Sequence, residues 1–192
     1  MIALLVSVTV AGSAAMILRY GVVPMASNMA YSAAQRGAMS PMEMLSKEIA
    51  AAGEVEIISD GAHVLAAGLE EDWHYVVLNS GRKEVRHVYR EEGNRVEEKI
   101  SGSGMEALSF DTEVFPTPLD GGRLLRVYVK AAYGSEDDTK TVELDRSMVV
   151  RAARGVTGEN GAAPGAGPVL RYKLRASCLT EPCLTAEKKD DE

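Results

Sequence analysis

The first two dozen residues, MIALLVSVTVAGSAAMILRYGVVP, constrain this chain more than any other stretch, because no charged side chain occurs between Met1 and Arg19. An apolar run of about 18 residues is at the lower limit for crossing the roughly 30 Å hydrocarbon core of a bilayer as a helix rising 1.5 Å per residue. Three fates compete for such a run: a secretory signal, a membrane anchor or a helix buried in a core. A signal peptide opens with a basic region, whereas Met1 leads straight into Ile2 and Ala3. The small residues Ala11, Ser13 and Ala15 match a cleavage site only loosely, and they also suit close helix packing in lipid. The run therefore reads as a membrane or assembly helix whose apolar surface comprises Ile2, Leu4, Leu5, Val8, Val10, Met16, Ile17 and Leu18.

Helical spacing continues past Arg19 through Val22, Val23, Met25, Met29, Ala30 and Ala33, and Gln35 and Arg36 close it. Pro24 interrupts the pattern, and an interior proline removes one backbone hydrogen bond and crowds the preceding turn. The expectation is one long helix kinked at Pro24 and running to about Gly37, apolar all round at first and amphipathic later, so that its second half can dock on a globular domain. The next stretch, SPMEMLSKEIAAAG, has the punctuation of a separate short helix. Ser40 is placed to cap it, Pro41 suits the first helical position, Glu43 completes a capping box and Gly53 supplies a stop. Met42, Leu45, Ile49 and Ala52 share one face of it, as core packing rather than a ligand site.

From Glu54 the hydrophobic period changes from helical to two. EVEIIS and AHVLAA, joined by Asp60 and Gly61, read as a hairpin, as do DWHYVVLN and KEVRHVYR around Ser80 to Arg82. Glu91 to Asn94 forms a further turn into RVEEKI, giving a meander. Two longer strands follow around Pro116 to Gly122, the second with Leu125, Val127, Val129 and Ala131 on one face and Arg126, Tyr128 and Lys130 on the other. After a turn at Ser135 to Asp138 comes a partner strand with Val142, Leu144, Met148 and Val150 as inward candidates and a bulge expected near Asp145. TGENGAAPGAGP has the composition of a flexible linker, VLRYKLRAS of one edge strand, and AEKKDDE of a solvated tail. The fold class expected is α+β: a long kinked N-terminal α-helix packed on an antiparallel β-sheet domain. Its parts are a helix over 1–37, a globular β domain with one short helix over 38–155, and a linker with C-terminal extension over 156–192.

A formal charge of -7 and a sequence pI near 5.1 argue against nucleic acid as a partner, since that grip needs clustered Lys and Arg. His63, His74 and His87 are the only histidines, each within a strand pattern, and none stands at helical metal-binding spacing with another ligand. No nucleophile elbow, phosphate loop or dinucleotide fingerprint follows a strand. SGSG at Ser101 to Gly104 reads as a turn. The acidic groups Glu70 to Asp72, Glu91 with Glu92, and Glu136 to Asp138 fall at turns and read as solvated loop tips, with weak calcium sites as the sharper alternative. We expect no catalytic residues, no cofactor and no resident metal. Cys178 and Cys183, in CLTEPC, are a candidate local disulfide outside the cytosol and a pair of free thiols within it. Closing so short a loop stabilises by about 2 to 3 kcal/mol in the chain-entropy model.

The layout of apolar kinked helix, short helix and antiparallel meander resembles the type IV pilin and pseudopilin family. More narrowly, residues 1–155 resemble minor subunits of the PilW class and the J-type pseudopilins of type II secretion. The matching stretches are LSKEIAAAG, DWHYVVLNSGRKEVRHVYR, SGSGMEALSF and SMVVRAARG. The family's basic leader and its G-F-T-L-x-E start have no counterpart from Met1 onward. Because members continue from that glutamate with residues similar to Met1, Ile2 and the apolar run, the resemblance implies that Met1 is internal and that a prepilin peptidase processes a start lying upstream.

The same resemblance implies assembly rather than catalysis. It implies a single-pass inner-membrane subunit with its globular domain outside the cytoplasm, which is later extracted into a pilus or pseudopilus. Its implied partners are other major and minor pilins or pseudopilins, met in a priming complex at the filament tip through the sheet edge and loops. A different class of reading is a membrane-anchored envelope β domain that binds a small ligand, a cation or a peptidoglycan component and never polymerises.

Overall fold

A computed structural model of the chain describes residues 2–17, 20–21, 23–59, 69–101, 104–114, 123–135, 138–151, 155–158 and 167–175. Two helices, α1 (Ile2–Ile17) and α2 (Val23–Ala51), lead into strands β1 (Ala52–Ile58), β2 (His74–Asn79), β3 (Glu84–Glu91), β4 (Asn94–Lys99), β5 (Met105–Val114), β6 (Arg123–Ser135), β7 (Asp138–Val149), β8 (Val156–Gly158) and β9 (Val169–Leu174). The strands form a six-stranded sheet ordered β4-β3-β2-β9-β1-β8 and a three-stranded antiparallel sheet ordered β5-β6-β7. The expected α+β class stands, with antiparallel pairing everywhere except the parallel pair β1 and β8.

α1 ends at Ile17 and α2 begins at Val23, residues 20–21 between them are also helical, and residues 18, 19 and 22, where a kink before Pro24 would fall, lie outside the described residues. The helical region differs from expectation in one way. Further on, the separate helix expected from Ser40 is continuous with α2, and Pro41 is buried inside it. Ser40 caps nothing, because its hydroxyl donates to the Ile100 carbonyl oxygen at 2.6 Å. Burial explains why the local punctuation is overridden. Ala34, Ala38, Met42, Leu45 and Ile49 form an unbroken buried stripe at three- to four-residue spacing, and each fully buried Leu or Ile contributes about 2 kcal/mol. Breaking the helix at Ser40 would turn half of that stripe away from the core.

The hairpins read from the sequence around Ser80 to Arg82, at Glu91 to Asn94 and at Ser135 to Asp138 all form. At the second, Glu92 and Gly93 both have positive φ, 52° and 80°, as a tight primed turn requires. The bulge expected near Asp145 is absent, since β6 and β7 pair in unbroken register from Leu124↔Val149 to Ser135↔Asp138. No change of phase needed it: Val142, Leu144, Met148 and Val150 all occupy even positions, with exposed Arg146 completing the row.

The larger correction concerns the C-terminal third. VLRYKLRAS does not add an edge strand; β9 lies between β1 and β2, hydrogen-bonded to both. Val169, Leu170, Arg171 and Tyr172 are all buried, which is the pattern of a strand covered on both faces. The start of the expected linker forms β8 beside β1. β1 has β8 and β9 as its neighbours, and AHVLAA, expected as its hairpin partner, lies outside the described residues. Gly167 exchanges two backbone hydrogen bonds with Phe110, both 2.8 Å, and so ties the C-terminal segment to the second sheet.

The two sheets and the C-terminal part of α2 enclose one core. From the six-stranded sheet come Val55, Ile57, Val76, Val85, Leu170 and Tyr172; from the other, Leu108, Phe110, Leu125, Val127, Val129 and Ala131. A smaller cluster on the opposite face of the large sheet places Leu69 and Trp73 over Ile58, Tyr75, Val77, Val88 and Val169.

Candidate assembly surface

α2 has two environments. From Ala34 to Ala51 one face is docked on the sheets, and Gly37 sits so close to β6 that a Cβ there would lie 3.0 Å from the Tyr133 hydroxyl. Before Ala34 the helix stands away from the core. Met25 and Met29 are 65% and 64% exposed, and Tyr31 is also exposed. Pro24, Met25, Met29, Ala33 and Arg36 line an open groove of about 760 Å³ between this half of α2 and Tyr133 and Gly134 at the end of β6.

α1 continues the same character. Val10, Met16 and Ile17 are exposed, and so is Tyr20 beyond it. Ile2, Leu4, Leu5 and Val8 belong to the same helix. The hydroxyl of Ser13 donates to the Val10 carbonyl oxygen at 3.0 Å, which satisfies the one polar side chain in this part of the helix without water. Between Val10 and Tyr31 only Arg19 carries charge. A helical surface of this length that is largely apolar, with a single charge, and outward-facing is suited to receive other apolar surface. Among the described residues no helix is long and apolar enough to cross a membrane; α1 has 16 residues. Leu18 and the pair Cys178 and Cys183 lie outside the described residues.

The remaining surfaces of the β domain are held by ion pairs. Arg171, buried in β9, holds Glu56 at 2.6 Å and Glu70 at 2.8 Å and stacks 4.3 Å from the centre of the Trp73 ring. This pins the 69–73 segment to the sheet and gives Glu70 a partner that the loop-tip reading did not supply. Burial alone would lower the Arg171 guanidinium, but its hydrogen bonds to Glu56, Glu70 and Tyr75 together hold it above its ordinary value. Arg86 bridges Glu84 and Glu97 on the same face. Among the described residues no group of three or more His, Cys, Asp or Glu side chains is arranged to hold a metal ion.

One constellation escaped the sequence reading. His74 and His87, taken singly as strand histidines, meet with Nδ1 of the first 3.0 Å from Nε2 of the second. The Tyr172 hydroxyl is 3.1 Å from the same Nε2, Glu98 is 3.6 Å from His87 Nδ1, and Tyr89 donates to Glu98 at 3.2 Å. The signal was in the hairpin register. Val76 pairs with His87, so His74 is a diagonal neighbour of His87 on the same face. Burial and then the charge of His87 push the His74 imidazole down to about 4, and burial also lowers His87 against the opposing pull of Glu98. His63 lies outside the described residues.

These features define the class: a pilin-like fold, with an exposed apolar helical stem preceding an antiparallel β domain. Two solved structures share it, the PilB minor pilin from Streptococcus sanguinis and a single-residue mutant of the same protein, with TM-scores of 0.50 and 0.52. Each is 15% identical to this chain over 72% of its length, and the chain spans 33% of the length of those chains. No protein-family model matches the chain, and no curated protein matches it in sequence.

Proposed function

We propose that this chain is a minor pilin or pseudopilin: a non-enzymatic structural subunit that is held in the inner membrane by its N-terminal helix and helps initiate or cap a type IV pilus or type II secretion pseudopilus. The observation that carries the reading is the outward-facing apolar surface from Val10 to Tyr31, attached to a domain whose described large apolar residues, Met39 and Val149 apart, are not exposed. In lipid such a helix satisfies its own backbone hydrogen bonds, and in a filament it shields its apolar surface against neighbouring helices. Filament incorporation then needs no catalytic group, and the β domain is left outside the cytoplasm to meet other minor subunits. The PilW and J-type classes supply the narrower proposal, a place in a tip complex with other minor subunits.

Cysteine crosslinking tests the reading at Ala11 and Ala14, both exposed on α1. In cells that assemble the filament, a cysteine at either position is expected to capture the N-terminal helices of other pilin-like subunits. Crosslinks only to the same chain, with none to another filament subunit, would instead describe a membrane-anchored envelope domain that never polymerises.

A further inference from the structure

His74 and His87 project from neighbouring strands onto the inner face of the six-stranded sheet, where β9 contributes Tyr172 and β4 contributes Glu98. The rings form a stacked group. His74 lies 5.1 Å from His87, 5.1 Å from Tyr89 and 5.4 Å from Tyr172, with interplanar angles of 21°, 22° and 15°. Because His74 Nδ1 and His87 Nε2 face each other at 3.0 Å, a single proton must sit between them. Two protonated rings in this arrangement would direct two N–H groups at one another.

We propose that His74 and His87 form a proton-operated latch, which joins β2, β3 and β9 when the pair shares one proton and opens when acid charges both rings. Every charged or titratable group packed around it takes part. Glu98 from β4 faces His87 and favours the first added proton. Asp72, in the turn before β2, favours charge on His74 as Glu98 does, but burial and the charge of His87 oppose it more strongly. Glu48 from α2, which faces Tyr172, is itself raised by burial and by Glu98, so it is among the first carboxylates here to lose its charge in acid. Tyr172 stays neutral, its hydroxyl pushed up by burial and by both glutamates, and Tyr89 is held in the same direction by burial and Glu98. The first proton is thus accommodated and the second is not. Repulsion between the two rings acts first between β2 and β3, and Tyr172 carries it to β9, which separates β2, β3 and β4 from β1 and β8.

The test is histidine-detected NMR on the full chain, together with backbone hydrogen exchange corrected for its intrinsic pH dependence. His74 is expected to titrate well below His87, and His87→Gln is expected to raise the His74 midpoint. Between about pH 7 and about pH 5, exchange-competent opening of amides in β2, β3 and β9 is expected to rise about tenfold, and β6 and β7 are expected to change little. In His74→Gln that rise is expected to vanish. The latch is refuted if both imidazoles of the unsubstituted chain titrate independently near 6.5, or if the acid-induced opening persists unchanged in His74→Gln. Should either variant fail to fold, the two titrations in the unsubstituted chain still decide the matter.

Discussion

Replacing Gly167 by alanine is the sharpest probe of how the C-terminal segment is built into the fold. A Cβ at this position would lie 2.8 Å from Ile57 Cγ2 and closer still to the Ile58 carbonyl oxygen. Part of the obstacle is backbone, so no rotamer change relieves it, and Gly167 must move away from β1. Doing so strains or breaks the two 2.8 Å hydrogen bonds with Phe110, each worth about 1 kcal/mol. Overpacking adds about 1 to 3 kcal/mol, and the stiffer unfolded chain offsets about 0.4 to 1 kcal/mol of the loss. The net cost is about 2 to 4 kcal/mol, which for a chain of this size lowers the Tm by about 4 to 16 °C. Thermal and urea unfolding of the full chain would measure it, with Gly81→Ala as control. Gly81 meets nothing nearer than Asn79 Oδ1 at 3.6 Å, so this control should stay within about 0.5 kcal/mol. If Gly167→Ala is as mild as the control, the segment behaves as a linker and the bridge to Phe110 carries no weight.

Other perturbations separate the stem from the domain. Met29→Asp places a charge on the free half of α2, and it should leave urea unfolding within about 0.5 kcal/mol of the parent while abolishing recovery of the subunit in sheared filaments. Arg171→Ala strands Glu56 in a half-buried site and should cost about 3 kcal/mol by equilibrium unfolding, whereas Glu70→Ala, on an exposed carboxylate, should cost under about 1 kcal/mol. The histidine pair should also appear in the pH dependence of stability. His74 is lowered from 6.5 to about 4 by burial and His87, so the folded state binds fewer protons than the unfolded state, and stability is lost as pH falls from about 6.5 through about 4. The full linkage of about 3 kcal/mol is reduced by solvent screening of the partly exposed ring to about 1 to 2 kcal/mol. Glu48 works with the opposite sign, since its raised carboxyl stabilises at low pH and loses that effect as pH rises. His74→Gln should therefore flatten the acid limb of an unfolding series, and an unchanged limb would assign it to other groups.

What the sequence made legible was local. The turns at Ser80, Glu91 and Ser135 each join strands that pair with their immediate successors, so alternation and turn chemistry were sufficient for β2, β3, β4, β6 and β7. The exposed apolar stem was legible for a similar reason, since Val10, Met16, Ile17, Met25 and Met29 contrast in composition with everything after Arg36. The histidine pair was encoded in the register of one hairpin and was missed because His74 and His87 were considered singly.

The placement of β9 depended on a different kind of information. Its neighbours β1 and β2 lie about a hundred residues upstream, and nothing within VLRYKL states which strands it separates. One local clue existed. Val169, Leu170 and Tyr172 leave only Arg171 and Lys173 as polar positions, and an edge strand with one wet face has no use for both Val169 and Leu170. Arg171 completes the point, because its charge enters the sheet only where Glu56 of β1 and the ring of Trp73 receive it. The six-stranded sheet consequently cannot close around β1 and β2 until residue 174 is available. A pairing so distant in sequence must also meet its loop-closure entropy before it gains any contact, which makes β9 a late event in folding rather than an appendage to a finished domain.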